Sequence, residues 1–254
     1  MGRSRRLLEV MVPVLTLRQA DGSLDLDLTH RYAQRAKLTL ARCFLISGTV
    51  GRGEQSSPNE RSQLLSIWLQ VVGTERLVSC CWQPGDIQVA INHGIQPMIV
   101  IRDQGNLQQL LATLSTIPRE SLVYSHPRYS STTFDISAAA AARRAGVLPR
   151  GAKVSKVSVD TVASLRSVTG VAFDLWHGSS RNVAMSLGHG ASGVVSAPLS
   201  TLPAELGVFD LLNLQKVIDR NQRLLDAFSR RKDALEFLAS SMSRTLSMPA
   251  GRKG

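Results

Sequence analysis

Gly151-Ala152-Lys153-Val154-Ser155 follows an alanine- and arginine-rich stretch, residues 136–145, that stops at Gly146. A second helix-like stretch, residues 159–168, comes after it and stops at Gly170. A short apolar run between two helical patterns is one strand–helix unit of a parallel sheet. Lys153 on such a strand carries its amine toward one end of the sheet. Side chains alternate along a strand, so if Lys153 faces inward, Ser155 faces inward with it and the rival Lys156 faces out.

The same unit recurs on both sides. Strands are expected at residues 10–15, 43–47, 77–81, 98–101, 122–124, 152–155, 171–175 and 193–196. Helices are expected at 28–38, 59–71, 87–92, 107–115, 136–145, 159–168 and 181–187, and Pro58-Asn59-Glu60 reads as a helix start. Eight such units with no strand left over for a reversed edge predict an α/β fold, a closed (β/α)8 TIM barrel over residues 1–203, in preference to an open sheet. Residues 204–246 carry no strand signal. Their leucines recur at spacings of three and four, which predicts a C-terminal helical extension of two or three helices. Residues 247–254 are expected to be a disordered tail.

The 254 residues are 43% hydrophobic and only 5% aromatic, so the core is aliphatic. No apolar run has the length of a membrane span, and the start of the chain, broken by Glu9 and Pro13, does not read as a secretory signal. Cys43, Cys80 and Cys81 form neither a disulfide framework nor a metal-ligand spacing, and adjacent Cys80 and Cys81 should lie buried on opposite faces of one strand. A cytoplasmic location is expected, with no metal and no cofactor. The net charge of +11 asks for an anionic partner. Basic residues are scattered rather than run together, which favours a small anionic substrate or a solvated surface over nucleic acid.

In a closed barrel the strand ends toward the C-terminus carry the chemistry. Four segments fall there. Ser47-Gly48-Thr49-Val50-Gly51-Arg52-Gly53-Glu54 offers backbone amides and a hydroxyl for a carboxylate or phosphate. Tyr124-Ser125-His126-Pro127-Arg128-Tyr129 offers a phenol for proton transfer, with His126 either a second base or a loop residue. Lys153 lies 29 residues after Tyr124. Trp176-His177-Gly178-Ser179-Ser180 and Gly190-Ala191-Ser192-Gly193-Val194-Val195-Ser196 complete the set, the latter allowing close backbone approach.

Taken in order, these segments resemble the pyruvate-dependent class I aldolases and lyases typified by dihydrodipicolinate synthase and N-acetylneuraminate lyase. The family's Gly-Thr-Thr-Gly-Glu-Gly…Glu-Arg pattern is similar to Gly48-Thr49-Val50-Gly51-Arg52-Gly53…Glu60-Arg61. Its Tyr-Asn-x-Pro segment is similar to Tyr124-Ser125-His126-Pro127, and its Gly-x-Lys strand to Gly151-Ala152-Lys153. Its Gly-Asp-Asp turn is similar to Gly178-Ser179-Ser180, and its Gly-Ala-x-Gly-Val-Ile-Ser strand to residues 190–196.

The resemblance implies a Schiff base between Lys153 and a 2-oxo acid such as pyruvate, with Tyr124 moving protons. It implies that Gly48, Thr49 and Val50 hold the keto-acid carboxylate, Thr49 by its hydroxyl, and that Gly178 and Val195 add backbone contacts. The arginine that grips the aldehyde's carboxylate in the synthases falls at Tyr129, with Arg128 beside it. The implied partners are a small 2-oxo acid and an aldehyde, with the chain as a homo-oligomer, a dimer or tetramer. The departures are Val50 for the second threonine, Arg52 for the acid, and Val100-Ile101-Arg102-Asp103-Gln104-Gly105, which lacks the tyrosine pair of the synthases. They argue against a lysine-biosynthetic role. They leave two alternatives, a dehydratase using the same imine and an inactive barrel kept for binding or regulation.

Overall fold

The structure, a computed structural model, describes residues 7–178 and 181–248. Its eight strands are β1 (Leu8–Pro13), β2 (Ala41–Ile46), β3 (Leu77–Cys81), β4 (Gln96–Val100), β5 (Leu122–Ser125), β6 (Gly151–Val154), β7 (Asp174–His177) and β8 (Gly193–Val195). They pair in sequence order, all parallel, and β8 closes on β1 through Val10 opposite Val194 and Met11 opposite Val195. The sheet is therefore a closed barrel and not an open one.

The helices α1 (Leu26–Lys37), α2 (Pro58–Val72), α3 (Pro84–Asn92), α4 (Leu107–Thr116), α5 (Ile136–Arg144), α6 (Val159–Thr169) and α7 (Val183–Gly188) follow the first seven strands in turn. Most begin on a side chain able to satisfy free amides: Asp25, Asn106, Asp135, Ser158 and Asn182 each accept from an amide of the first turn. Ser57 and Glu60 form a reciprocal capping box ahead of Pro58.

Strand alternation sorts the core into two layers. Met11, Leu45, Cys80, Met98, Leu122, Tyr124, Trp176 and Val195 cluster inside the barrel. The residues between them, such as Val10, Phe44, Val123, Ala152, Val154 and Val194, pack against the helices. Cys80 belongs to the inner cluster and Cys81 to a separate one beneath α3, as expected for neighbours on one strand.

Two differences from the sequence reading have plain causes. The seventh strand starts at Asp174, not at Val171: Gly170 ends α6 with φ +80° and the chain turns there, leaving Val171 94% exposed. After the barrel the described residues form two α-helices, α8 (Leu211–Asp226) and α9 (Arg231–Ser247). Ser247, assigned to the tail, is the last residue of α9, and residues 249–254 lie outside the described residues. Leu214, Val217, Ile218, Leu238 and Met242 of these helices are buried in the barrel's outer core. Among the described residues no helix is long and apolar enough to cross a membrane.

Candidate active site

The inner position of Lys153 follows from its neighbours. Ala152 and Val154 pack outward against α5 and α6, so Lys153 between them enters the barrel and is only 6% exposed. It stands opposite Tyr124 on β5 and Trp176 on β7. Its Nζ lies 3.8 Å from the centroid of the Tyr124 ring. Gly151, the small residue at the start of β6, allows this strand in: an added Cβ would stand 2.6 Å from the Asp174 side chain and 2.8 Å from Leu122.

Above this pair a cavity of about 550 Å³ opens at the C-terminal ends of the strands. Thr49, Val50, Tyr124, Lys153, Gly178 and Val195 all line it, together with His126 and Ser155. Lys156 also lines it but is exposed at the rim, with φ +63°. Gly48 and Tyr129 stand beside the cavity and not in its wall. A second cavity of about 510 Å³ opens at the opposite end of the barrel around the Glu9–Arg42 ion pair, and holds no lysine.

The loop after β2 is held from below by a buried ion pair. Arg61 Nε donates to Asp86 Oδ1 at 2.9 Å, and both side chains are almost fully buried. Arg61 Nη1 donates to the carbonyls of Gly53 and Ser56. Asp86 Oδ2 accepts from the amides of Trp82 and Gln83, at 2.8 and 3.1 Å. Trp82 Nε1 in turn donates to the Ser47 carbonyl at 2.8 Å. The glycines serve packing: a Cβ on Gly53 would stand 1.7 Å from the Ser47 carbonyl oxygen, and one on Gly178 would stand 2.4 Å from Ser155 Oγ. Among the described residues no hydrogen bond takes up the Thr49 or Val50 amide, so both stay available on residues that line the cavity.

Tyr129 makes a different contact from the one implied by the resemblance. Its hydroxyl donates to Glu54 Oε2 at 2.5 Å, and Arg128 reaches the same carboxylate at 3.5 Å. Burial, reinforced by Glu54, raises the Tyr129 phenol above its ordinary range. Its ring stands between Trp82 and Tyr124, with centroids 5.5 and 6.0 Å away. Arg52 donates to Glu236 Oε1 at 2.8 Å and to the Lys232 carbonyl at 3.2 Å, tying the loop to α9. His177 faces away from the cavity, its nitrogens engaged by Ser186 and the Val157 carbonyl. Ser179 and Ser180 lie outside the described residues.

The part of the site that sequence reasoning missed comes from the tail. Gln222, Leu225 and Asp226 of α8, Phe228, and Arg231, Ala234 and Leu235 of α9 roof the cavity. Spacing marked these helices as amphipathic, but no local signal says which surface they cover. Asp86 was likewise unmarked, because its partner lies 25 residues earlier in the chain.

No family model matches the sequence, and no curated protein matches it. Solved structures do. Dihydrodipicolinate synthase from Agrobacterium tumefaciens superposes with a TM-score of 0.76 at 19% identity, over 96% of this chain and 93% of that one. The 2-keto-3-deoxygluconate aldolase of Picrophilus torridus gives 0.75 at 14% identity, over 93% of each. A variant of the Sulfolobus solfataricus 2-keto-3-deoxygluconate aldolase gives 0.73 at 17%, over 95% and 88%. The chain thus carries, over nearly its full length, the barrel fold of the dihydrodipicolinate synthases and 2-keto-3-deoxygluconate aldolases, with its two C-terminal helices included.

Proposed function

We propose that this protein is a Schiff-base lyase or aldolase of the dihydrodipicolinate synthase type, acting on pyruvate or a related 2-oxo acid. The observation that carries the reading is a buried lysine amine 3.8 Å from the Tyr124 ring, at the floor of a cavity whose wall holds two free amides. The neutral amine of Lys153 adds to the C2 carbonyl, forming the C–N bond. The carbinolamine then loses its oxygen as water and leaves an iminium at C2, which either draws electrons from the C3–C4 bond, releasing an aldehyde and leaving an enamine, or gives up a C3 proton to become that enamine. Tyr124 carries protons between the carbinolamine oxygen and the departing or incoming substrate oxygen. The Thr49 hydroxyl and the Thr49 and Val50 amides receive the keto-acid carboxylate, while Gly178 and Val195 shape the wall.

Incubation with pyruvate and borohydride, followed by peptide mass spectrometry, tests this. The expected result is a reduced three-carbon adduct on the peptide position of Lys153. An adduct on Lys156 instead would move the site, and no adduct with a panel of 2-oxo acids would support a binding protein. Assembly into a dimer or tetramer belongs to the same reading and is checked by sedimentation.

A further inference from the structure

Helix α8 turns one side to the Lys153 cavity and another to water. Leu212, Lys216, Arg220, Arg223 and Leu224 are exposed, while Leu214, Val217 and Ile218 are buried against the barrel. At about 100° per residue the exposed positions share an arc of roughly 120°. Three cations therefore stand in a row along one helix face, with no acid among them. The acids of α8 lie beyond the edge of this arc, Asp219 accepting from Gln215 at 2.7 Å and Asp226 from Arg181 at 3.0 Å. Lys216, Arg220 and Arg223 have no ion-pair partner among the described residues.

The ends of the row are apolar. Among the described residues six large apolar side chains are more than half exposed, and four of them gather here. Leu212 lies in the first turn of α8 and Leu224 in its last, about 18 Å apart. Leu38 and Val208 extend the first end. The Leu40 amide donates to the Leu206 carbonyl at 2.7 Å, which brings the turn holding Leu38 against the one holding Val208, just ahead of the Asp210 cap of α8. Large aliphatic side chains that cluster in water mark a contact surface, and the unpaired cations between them call for an anionic partner. No residue of the arc is aromatic, so it offers nothing to stack on a base. A lipid surface answers both features, with phosphates for the cations and an acyl boundary for the leucines.

We infer that this face of α8 docks on a bilayer rich in anionic phospholipid. Leu38, Val208, Leu212 and Leu224 enter the head-group layer, and Lys216, Arg220 and Arg223 rest on its phosphates. The contact is peripheral and needs no membrane span. It is independent of the Lys153 chemistry. The other side of the same helix carries Gln222, Leu225 and Asp226 of the cavity roof, so docking sets the cavity beside the lipid surface.

Cosedimentation of the full chain with vesicles tests this. Vesicles of equal parts phosphatidylglycerol and phosphatidylcholine should retain the protein, and phosphatidylcholine alone should not. Lys216→Gln, Arg220→Gln and Arg223→Gln together should weaken retention roughly a hundredfold, at about fivefold per cation. Leu212→Ser with Leu224→Ser should weaken it roughly tenfold and leave its salt dependence in place. Arg102→Gln, Arg119→Gln and Arg144→Gln together remove the same charge from exposed positions on the α4–α5 side of the ring, and should leave retention unchanged. No retention on either vesicle, equal retention on both, or equal losses in the two charge triples overturns the surface. Tighter binding to an oligonucleotide than to vesicles, abolished by the α8 triple, also overturns it and makes the partner nucleic acid. So does a sedimentation profile in which the two serine substitutions split an oligomer, which makes this face a contact between subunits.

Discussion

Removing the carboxylate of Asp86 should do more harm than its distance from the cavity suggests. Asp86→Ala leaves the Arg61 guanidinium, with 8% of its side chain exposed, facing only the Gly53 and Ser56 carbonyls. Breaking a buried pair from one side costs about 3–5 kcal/mol, because the remaining charge has no water to turn to. The amides of Trp82 and Gln83 at the head of α3 lose their acceptor as well, which adds about 1 kcal/mol as the loss of a helix cap does. At about 2–4 °C per kcal/mol for a chain of this size, the melting temperature should fall by roughly 10 °C or more, followed by circular dichroism. Asp86→Asn keeps an acceptor for the amides and should lose less. Because Arg61 also holds the end of the loop that carries Thr49 and Val50, the pyruvate concentration for half-maximal trapping should rise in both variants below their melting points. A loss under about 1 kcal/mol for Asp86→Ala, with trapping unchanged, would refute the view that this pair supports the loop.

Further outcomes follow from the same geometry. Tyr124→Phe keeps the ring beneath Lys153 but not the hydroxyl, so trapping should slow by roughly a hundredfold or more while the melting temperature changes little. Gly53→Ala should destabilise by more than about 3 kcal/mol in urea unfolding, since its methyl collides with the Ser47 backbone. His126 gives a pH signature. Burial, with the charge of Lys153, holds its folded pKa at about 4, below the ordinary 6.5, so between those values the unfolded chain takes up a proton that the folded one refuses. The stability of the native protein relative to His126→Gln should therefore fall as pH drops from about 6.5 to 4 and level off below, and a difference that stays flat across that window would contradict the assignment.

The barrel was legible because strand and helix periods differ and the chain keeps switching between them. Counting in twos tied Ser155 to the face of Lys153 and set Lys156 on the other, but which face was the inner one came with the structure, where Ala152 and Val154 pack against the helices. Strand starts were less legible. Leu8 and Ala41 pair across β1 and β2 although neither adjoins an unbroken apolar run, and Val171-Ala172-Phe173 looks like strand yet follows a glycine that reverses the chain. The roof of the site was illegible for a different reason. Arg231 reaches the cavity through the docking of α9 on the barrel, a contact between segments more than a hundred residues apart in the sequence. The Tyr129–Glu54 bond is similarly a product of tertiary approach, across 75 positions.

The bridge from Arg52 to Glu236 links the evolutionary fates of two sites 184 positions apart. A descendant that acquired an acid at position 52 would set two carboxylates face to face, 2.8 Å being the present gap between guanidinium and oxygen. Such a change should survive only where position 236 has turned neutral or basic, so across orthologues these two columns ought to covary in sign.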